Sequence, residues 1–327
     1  MKSTYKDEVQ NLALETVWSL WSEAGVSGWA RHHAETAIDL EPLLIATAWL
    51  GQFDARLLEE AFDWCVLNSR FASAVRLRNL LPTMHDPVRV AFGAFATTVR
   101  SRRKVSWPGA GTPLKISVTN RSTIPDLRRP ALLQLRLRAL FGVAARAEIL
   151  RRMLPEPGRF FGIAELALHS AYGKDNVADA LDLLTLAAIT TETTMTSAGN
   201  AKLFRLESAA ELVALVGPVP ANQPDWSARF RILLRLVDFA LGAPEDPTAR
   251  AAAIFRLLEQ LQSDLRWIGT FPRLPLGVEA VNHDFNEWSV KALEAWASDH
   301  GNVPSSAVSH ALDEARNGRP ERLFRPT

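Results

Sequence analysis

The sequence has one cysteine and no long apolar run, and each absence excludes a class of protein. Cys65 is the single cysteine among 327 residues, so no disulfide can form within the chain. Its neighbours Phe62, Trp64 and Val66 are apolar, which predicts a buried thiol rather than a reactive one. No apolar run approaches the roughly 20 residues of a membrane-spanning helix, and the first ten residues lack the apolar part of a signal peptide. We therefore expect a cytoplasmic protein with no membrane partner.

The motifs of common enzyme classes are also missing. The sequence has no glycine-rich phosphate-binding loop, no nucleophile elbow and no HExxH pair. His32 and His33 are adjacent, and adjacent residues of a helix point about 100° apart, so we expect a solvated helix face there rather than a metal site. His283 and Asp284 lie near Trp288 but lack a third partner. The sequence predicts no enzyme, metal or cofactor, with an unrecognised site in the C-terminal region as a minor alternative.

What is present is a mainly helical chain with one basic, irregular interval. Hydrophobic residues make up 47% of the sequence and charged residues 22%, which is ordinary for a globular protein. Apolar spacing and breaks at proline and glycine predict an N-terminal helical bundle (1–100), a basic linker with one short strand near Leu114–Val118 (101–130), a central domain (131–216) and a C-terminal helical domain (217–327). The helices recognised outside the central domain cover 42–50, 55–67, 71–81, 226–241, 249–267 and 285–297.

The segment from Leu140 to Glu207 has the most specific pattern. Apolar residues at helical spacing predict one helix over 146–154, a short second helix from Ile163, and a third that contains Val177 and Leu184. A threonine-rich stretch from Ile189 and the alternating residues 201–206 predict two strands. Ala198, Gly199 and Asn200 between them are suited to a hairpin tip, because glycine and asparagine tolerate positive φ.

The order LFG…ARAEIL, IAELA, ALDLL and GNAKLFRLE resembles winged-helix regulators of the ArsR/MarR type over about a fifth of the chain. The resemblance implies a central winged helix-turn-helix with a short β-hairpin wing, flanked by two helical bundles. It implies that the third helix lies in the major groove of duplex DNA, where Lys174 and Asn176 would reach base edges, and that Lys202 and Arg205 hold phosphates from the wing. One departure stands out: the same helix carries aspartates that repel phosphates, Asp175, Asp179 and Asp182.

Charge distribution favours a nucleic-acid partner more strongly than the third helix does. Between Arg100 and Arg159 there are fourteen basic residues and three acidic ones, a local charge of +11 in a chain whose net charge is +1. Such a basic block beside a helix-turn-helix is typical of a DNA-binding module. The predicted phosphate contacts in the linker and first helix are Arg128, Arg129, Arg146, Arg151 and Arg152.

These patterns predict a DNA-binding transcriptional regulator that acts as a homodimer on double-stranded DNA. The alternative is a protein-interaction module, for example the antitoxin-like partner of a nucleotidyltransferase toxin, in which the acidic third helix binds a protein. A second helix-turn-helix over 71–81, with Arg76 and Asn79 on a polar face, is a weaker alternative to an ordinary helical bundle.

Overall fold

The computed structural model describes residues 4–28, 31–195 and 201–298, and it confirms a mainly helical chain. No helix within these ranges is long and apolar enough to cross a membrane. The described elements, in chain order, are α1 (Tyr5–Glu23), α2 (Leu40–Leu50), α3 (Ala55–Asn68), α4 (Ala74–Leu80), α5 (Asp86–Arg102), α6 (Leu133–Phe141), α7 (Ala145–Met153), β1 (Phe161–Gly162), α8 (Ile163–Ser170), α9 (Lys174–Leu186), β2 (Thr190–Met195), β3 (Ala201–Leu206), α10 (Ala209–Val216), α11 (Trp226–Gly242), α12 (Pro247–Trp267) and α13 (Val278–Ala297).

Helices from both ends of the chain form one body, which we call the helical body. Helices α1 to α5 and α11 to α13 contribute to a single hydrophobic core, with α1 packed against α11 and α13. The Tyr5 and Ser289 hydroxyls lie 3.0 Å apart, and Trp226 Nε1 donates to the Ala37 carbonyl at 2.8 Å. The sequence predicted two flanking bundles instead. Apolar periodicity identifies the buried face of a helix but not the helix that covers it, so the merger was not predictable.

Two predictions for single residues of this body had opposite outcomes. Cys65 is fully buried, as its apolar neighbours indicated. The prediction that His33 lies on a solvated helix face is wrong, because residues 31–35 are not helical and the ring is fully buried. Its Nδ1 lies 2.7 Å from Ser19 Oγ and its Nε2 lies 2.7 Å from the carbonyl oxygen of Trp296. His33 therefore links the N-terminal helix to α13.

The predicted linker is packed along the helical body. Residues 104–126 form neither helix nor strand, so the predicted strand near Leu114–Val118 is wrong. The Asp63 carboxylate accepts four consecutive backbone N–H groups, those of residues 119–122, at 2.6–3.0 Å. A Cβ on Gly93 would lie 2.4 Å from the Ala110 carbonyl oxygen, so glycine permits the close approach of this segment to α5. Side-chain and backbone contacts with the body replace strand pairing here.

Helices α6 to α10 and the three strands form a second unit, which we call the central module. Its own hydrophobic core runs from Leu133 to Val216. The strands form an antiparallel sheet in the order β1-β3-β2, with Phe161 opposite Phe204 and Thr190 opposite Leu206. The predicted helices and the two longer strands are confirmed, whereas the two-residue β1 was not predicted. The predicted hairpin tip, 198–200, lies outside the described residues.

Candidate functional site

A group of six buried charged side chains lies where the helical body meets the central module. We call it the charge cluster: Asp39, Glu41 and Arg76 from the body, and Arg138, Glu148 and Arg151 from the module. Their side chains are at most 11% exposed. Three carboxylates face three guanidinium groups, so the formal charges sum to zero. A charged group taken out of water is tolerated only when it is paired and hydrogen-bonded, and the cluster meets that condition.

Each arginine of the charge cluster bonds to at least two of its carboxylates. Arg138 donates bidentately to Glu41 at 2.7 and 2.8 Å, and two of its nitrogens donate to a single oxygen of Glu148, Oε1, at 2.6 and 2.9 Å. Arg76 binds Asp39 through both terminal nitrogens at 2.6 and 2.8 Å and also donates to Glu41. Arg151 joins Glu148 at 3.1 Å to Asp39 at 3.0 Å. Such bidentate pairs fix orientation as well as distance, so the cluster sets the angle between the two units.

The electrostatics of the cluster favour its ionised form. Burial raises the pKa of Glu148, but Arg138, Arg76 and Arg151 outweigh it and bring this pKa down to about 2. Burial opposes ionisation of Asp39 as well, and Arg76 and Arg151 hold its pKa well below the usual range. Gln134 fills the remaining space, donating to Asp39 at 3.1 Å while its Oε1 accepts the backbone N–H of Leu40 at 2.9 Å. All three carboxylates are therefore hydrogen-bonded and buried.

The turn between α8 and α9 is fixed to the helical body by three hydrogen bonds. Arg76 Nε donates to the Ser170 carbonyl at 2.8 Å, and Asn79 Nδ2 donates to the Ala171 carbonyl at 2.9 Å. The Ser73 and Tyr172 hydroxyls lie 2.9 Å apart. Arg76 was predicted on a polar helix face with Asn79, but it is fully buried. The weaker prediction of a second helix-turn-helix there is therefore wrong, because these residues bind the central module.

Most of the basic residues predicted to contact phosphates have carboxylate partners within the protein. Six of the eight named cations are paired, and two, Arg146 and Lys174, are exposed with no ion pair among the described residues. The pairs are Arg128–Asp126 (2.8 Å), Arg129–Glu23 (3.7 Å), Arg151–Asp39 (3.0 Å), Arg152–Glu156 (2.6 Å), Lys202–Glu192 (3.1 Å) and Arg205–Glu207 (3.5 Å).

Other members of the basic block are used inside the fold. Arg136 is buried and donates to the carbonyls of Leu127 and Pro218 at 2.9 and 2.5 Å. Arg100 donates to the Trp107 carbonyl at 2.6 Å. Arg151, predicted to contact phosphate, is buried together with Glu148, because the helical body covers this side of α7. The local charge of +11 is therefore compensated only in part within the described residues: Arg102, Arg103, Lys104, Lys115 and Arg121 are exposed and have no ion pair there.

Helix α9 presents an exposed face that is acidic and apolar. We call it the α9 face: Asp175, Asp179, Asp182, Leu183 and Leu186, all exposed. At about 100° per residue these positions fall within an arc of roughly 100°, opposite the buried stripe of the helix. Leu186 is 85% exposed and Leu183 53%. The three aspartates have no ion pair among the described residues, so the face carries an uncompensated charge of −3.

Lys174 and Asn176, the two predicted base-reading residues, are exposed in the first turn of α9. Residues two apart on a helix point about 160° away from each other, so these two side chains flank the α9 face on opposite sides. In the described residues a single group has the geometry of a metal site: His283, Asp284 and Glu287, exposed or half-exposed on α13. Glu287 there is also paired with Lys291.

Comparison of this chain with models of known protein families, with curated protein sequences and with solved structures gave no significant match.

Proposed function

We propose that the central module is a winged helix that serves as a protein-interaction domain, and that the α9 face binds a basic, partly apolar surface of a partner protein. The observation that carries this proposal is the combination of three unpaired aspartates with two exposed leucines on one face of one helix in the described part of the chain. Exposure of leucine side chains to water is unfavourable in free energy. An apolar surface surrounded by charged residues is typical of protein–protein contacts. The negative charge of the α9 face repels phosphates and attracts lysine and arginine side chains.

The order of elements supports the winged-helix part of the proposal. Helix α7 is followed by the short strand β1, then by α8 and α9, and then by the antiparallel strands β2 and β3. This is the order in which the ArsR/MarR resemblance places three helices and a wing. Under this proposal the third helix keeps its exposed position but carries a surface suited to protein. An antitoxin-like role toward a nucleotidyltransferase toxin would be one instance of such binding.

The α9 face is tested by removing its apolar part. We expect the double variant Leu183→Ser, Leu186→Ser to lose a partner that the tagged parent chain retains when it is purified from its own cells and analysed by quantitative mass spectrometry. The matched control is Leu276→Ser, because Leu276 is fully exposed but lies between α12 and α13. A partner retained equally by all three proteins would show that the α9 face is not its binding site.

Charge reversal provides the second arm of this experiment. Asp179→Lys should weaken the same partner, because the proposed contact depends on opposite charge, and raising the salt concentration should weaken the parent complex in the same direction. If Asp179→Lys instead strengthened capture, the partner surface would be acidic and the proposed chemistry would be wrong.

Binding to duplex DNA is the second candidate function. It is favoured by Arg146 and Lys174, which are exposed and have no ion pair in the described part of the chain, and by Asn176, which is exposed in the first turn of α9. If the third helix lies in the groove, Asn176→Ala should cost about 1–3 kcal/mol of binding and relax the preference at one base position, whereas Lys202→Ala should weaken all sequences alike. Fluorescence anisotropy with a set of labelled duplexes measures both effects.

A homodimer, which the sequence analysis expected, would need a surface other than the α9 face. Two copies joined there by a two-fold axis would oppose their aspartates, and like charges across an interface are strongly unfavourable. We therefore propose that any dimer leaves α9 accessible. Light scattering on the parent and on Asp179→Lys tests this: the same mass for both proteins is expected, and a change of mass would place α9 in the dimer contact.

A further inference from the structure

A cleft with three neighbouring cavities, which share lining residues, separates α8 of the central module from the helical body. The cavities have volumes of about 340, 300 and 820 Å³. Asp225 lines all three, and Trp267 lines the second and the third. This size suits a small molecule, since ligand pockets measure about 300–1,000 Å³. None of the residues of the α9 face lines the cleft, so a ligand bound there would be independent of the proposed partner binding.

One end of the cleft offers hydrogen-bond donors to an anion. Arg152 and Arg159 line the second cavity together with Arg229. Arg152 makes one hydrogen bond within the described residues, to Glu156 at 2.6 Å, which leaves four of its five N–H donors without an acceptor there. Gln223 lines both smaller cavities, and its buried Nε2 has no acceptor within the described part of the protein. A buried donor without an acceptor is uncommon in proteins and is satisfied when a ligand oxygen occupies the cavity.

The carboxylates of this end are largely occupied within the protein. Asp225 caps α11 by accepting the N–H of Ala228 at 2.9 Å, and it accepts the indole N–H of Trp267 at 2.9 Å. Glu165 and Glu156 bind Arg159 and Arg152 from the exposed rim. His169 lines both smaller cavities, and its pKa is sensitive to the positive charge of the nearby arginines. Its pKa falls to about 4, first through burial and then through Arg152, Arg151 and Arg159, which outweigh Asp225.

The other end of the cleft is apolar with a polar rim. Trp267 is 46% exposed and Leu168 62%, and both line the largest cavity beside Leu80 and Tyr172. The Trp267 ring lies 5.1 Å from that of His169, so an aromatic surface marks the passage between the two ends. Ser227, Gln260 and Ser263 on the rim present hydroxyl and amide groups. An aromatic face with nearby polar groups suits a planar heterocycle.

We propose that the cleft binds a nucleoside monophosphate, with the phosphate at Arg152, Arg159 and Gln223 and the base against Trp267. Two arginines suit a phosphate because guanidinium groups bind its oxygens bidentately. The combined cavities are larger than a phosphate or a single aromatic ring requires, and the rim supplies donors and acceptors for a sugar and a base.

Isothermal titration of the full chain with AMP, GMP, CMP and UMP tests this proposal. We expect at least one of the four to bind with a Kd below about 1 mM, and inorganic phosphate and the matching nucleoside each to bind at least about tenfold more weakly. Affinity for phosphate equal to that for the nucleotide would overturn the proposal, since the base would then add nothing. Absence of binding by all four nucleotides to the folded chain would also overturn it.

Two variants locate the site. Arg159→Gln should weaken both nucleotide and phosphate binding by about tenfold or more, and Trp267→Leu should weaken nucleotide binding by a larger factor than phosphate binding. Both side chains are more than two-fifths exposed, so the variants are expected to fold with unchanged melting temperature. Arg89→Gln, an exposed arginine of α5 paired with Asp86, is the matched control and should bind as the parent does. Nucleotide binding that neither Arg159→Gln nor Trp267→Leu alters would place the ligand elsewhere and contradict the assignment.

Discussion

Helices α7 and α9 belong to the same module and carry opposite charge, but their charges are used differently. Helix α7 has three arginines and one glutamate, and α9 has one lysine and three aspartates. Glu148 and Arg151 of α7 are buried and paired with residues of the helical body, whereas the aspartates of α9 are exposed and have no ion pair among the described residues. The comparison shows that the sign of a charged helix does not identify its role. A charged side chain that is buried and paired stabilises the fold, whereas one that is exposed and unpaired is available to bind a ligand.

The largest expected difference between these helices is in stability. Glu148→Ala leaves three buried arginines facing two carboxylates, a net buried charge of +1, and it should lower the free energy of unfolding by about 3–5 kcal/mol. Asp179→Ala removes an exposed, unpaired charge and should change this free energy by no more than about 0.5 kcal/mol. Urea denaturation measures both. An equal loss of unfolding free energy in the two variants would mean that the charge cluster does not stabilise the contact between the helical body and the central module.

The two faces of α9 should differ almost as much. Leu181 is fully buried in the core of the central module, so Leu181→Ala should cost about 2–5 kcal/mol of stability and lower the melting temperature. Leu186→Ala, at an exposed position, should leave the melting temperature nearly unchanged. Calorimetry of the two variants checks this expectation. Destabilisation by Leu186→Ala would show that its side chain is covered in the intact protein.

Lowering the pH should reduce the free energy of unfolding through Glu148 of α7 more than through the exposed aspartates of α9. The pKa of Glu148 is about 2 in the folded chain, below that of an unfolded glutamate near 4.3, so the unfolded chain takes up the proton first. Its contribution to stability is therefore complete above about pH 5 and is lost as the pH falls from about 4 toward 2, by an amount on the order of 2 kcal/mol. Denaturation series at several pH values should show this loss in the parent and a smaller one in Glu148→Gln. The same slope in both proteins would contradict the role given to Glu148.

The sequence was sufficient to predict most of the helices but not the surfaces they form. Helix α9 and the strands β2 and β3 follow from apolar spacing and threonine content. Helix α5 was missed because Gly93 and several β-branched residues such as Val88 and Thr98 weaken a helical pattern. That glycine instead allows the irregular segment 104–126 to lie against the helix.

The charge cluster was not predictable because its partners are far apart along the chain. Asp39 and Arg151 are separated by 112 positions, and no local pattern links them. One signal was present in the composition: a chain of net charge +1 that contains a block of +11 has −10 elsewhere, since 1 − 11 = −10. This imbalance indicates that compensation exists, but only the fold shows that Asp39, Glu41 and Glu23 supply part of it.

The salt dependence of DNA binding tests most directly the claim that most of the cations predicted to contact DNA are paired inside the protein. Two of the cations predicted to contact DNA, Arg146 and Lys174, are exposed and unpaired in the described residues. With about 0.9 counterions released per phosphate contact, the double variant Arg146→Gln, Lys174→Gln should make the slope of log K against log salt shallower by about 2, whereas Arg128→Gln, Arg129→Gln, at two paired cations, should leave it nearly unchanged. Anisotropy titrations with one labelled duplex, over a range of salt concentrations, give this slope. A change of slope from Arg128→Gln, Arg129→Gln as large as that from Arg146→Gln, Lys174→Gln would show that the paired cations are free to bind phosphate, and it would contradict the account in favour of a DNA-binding regulator.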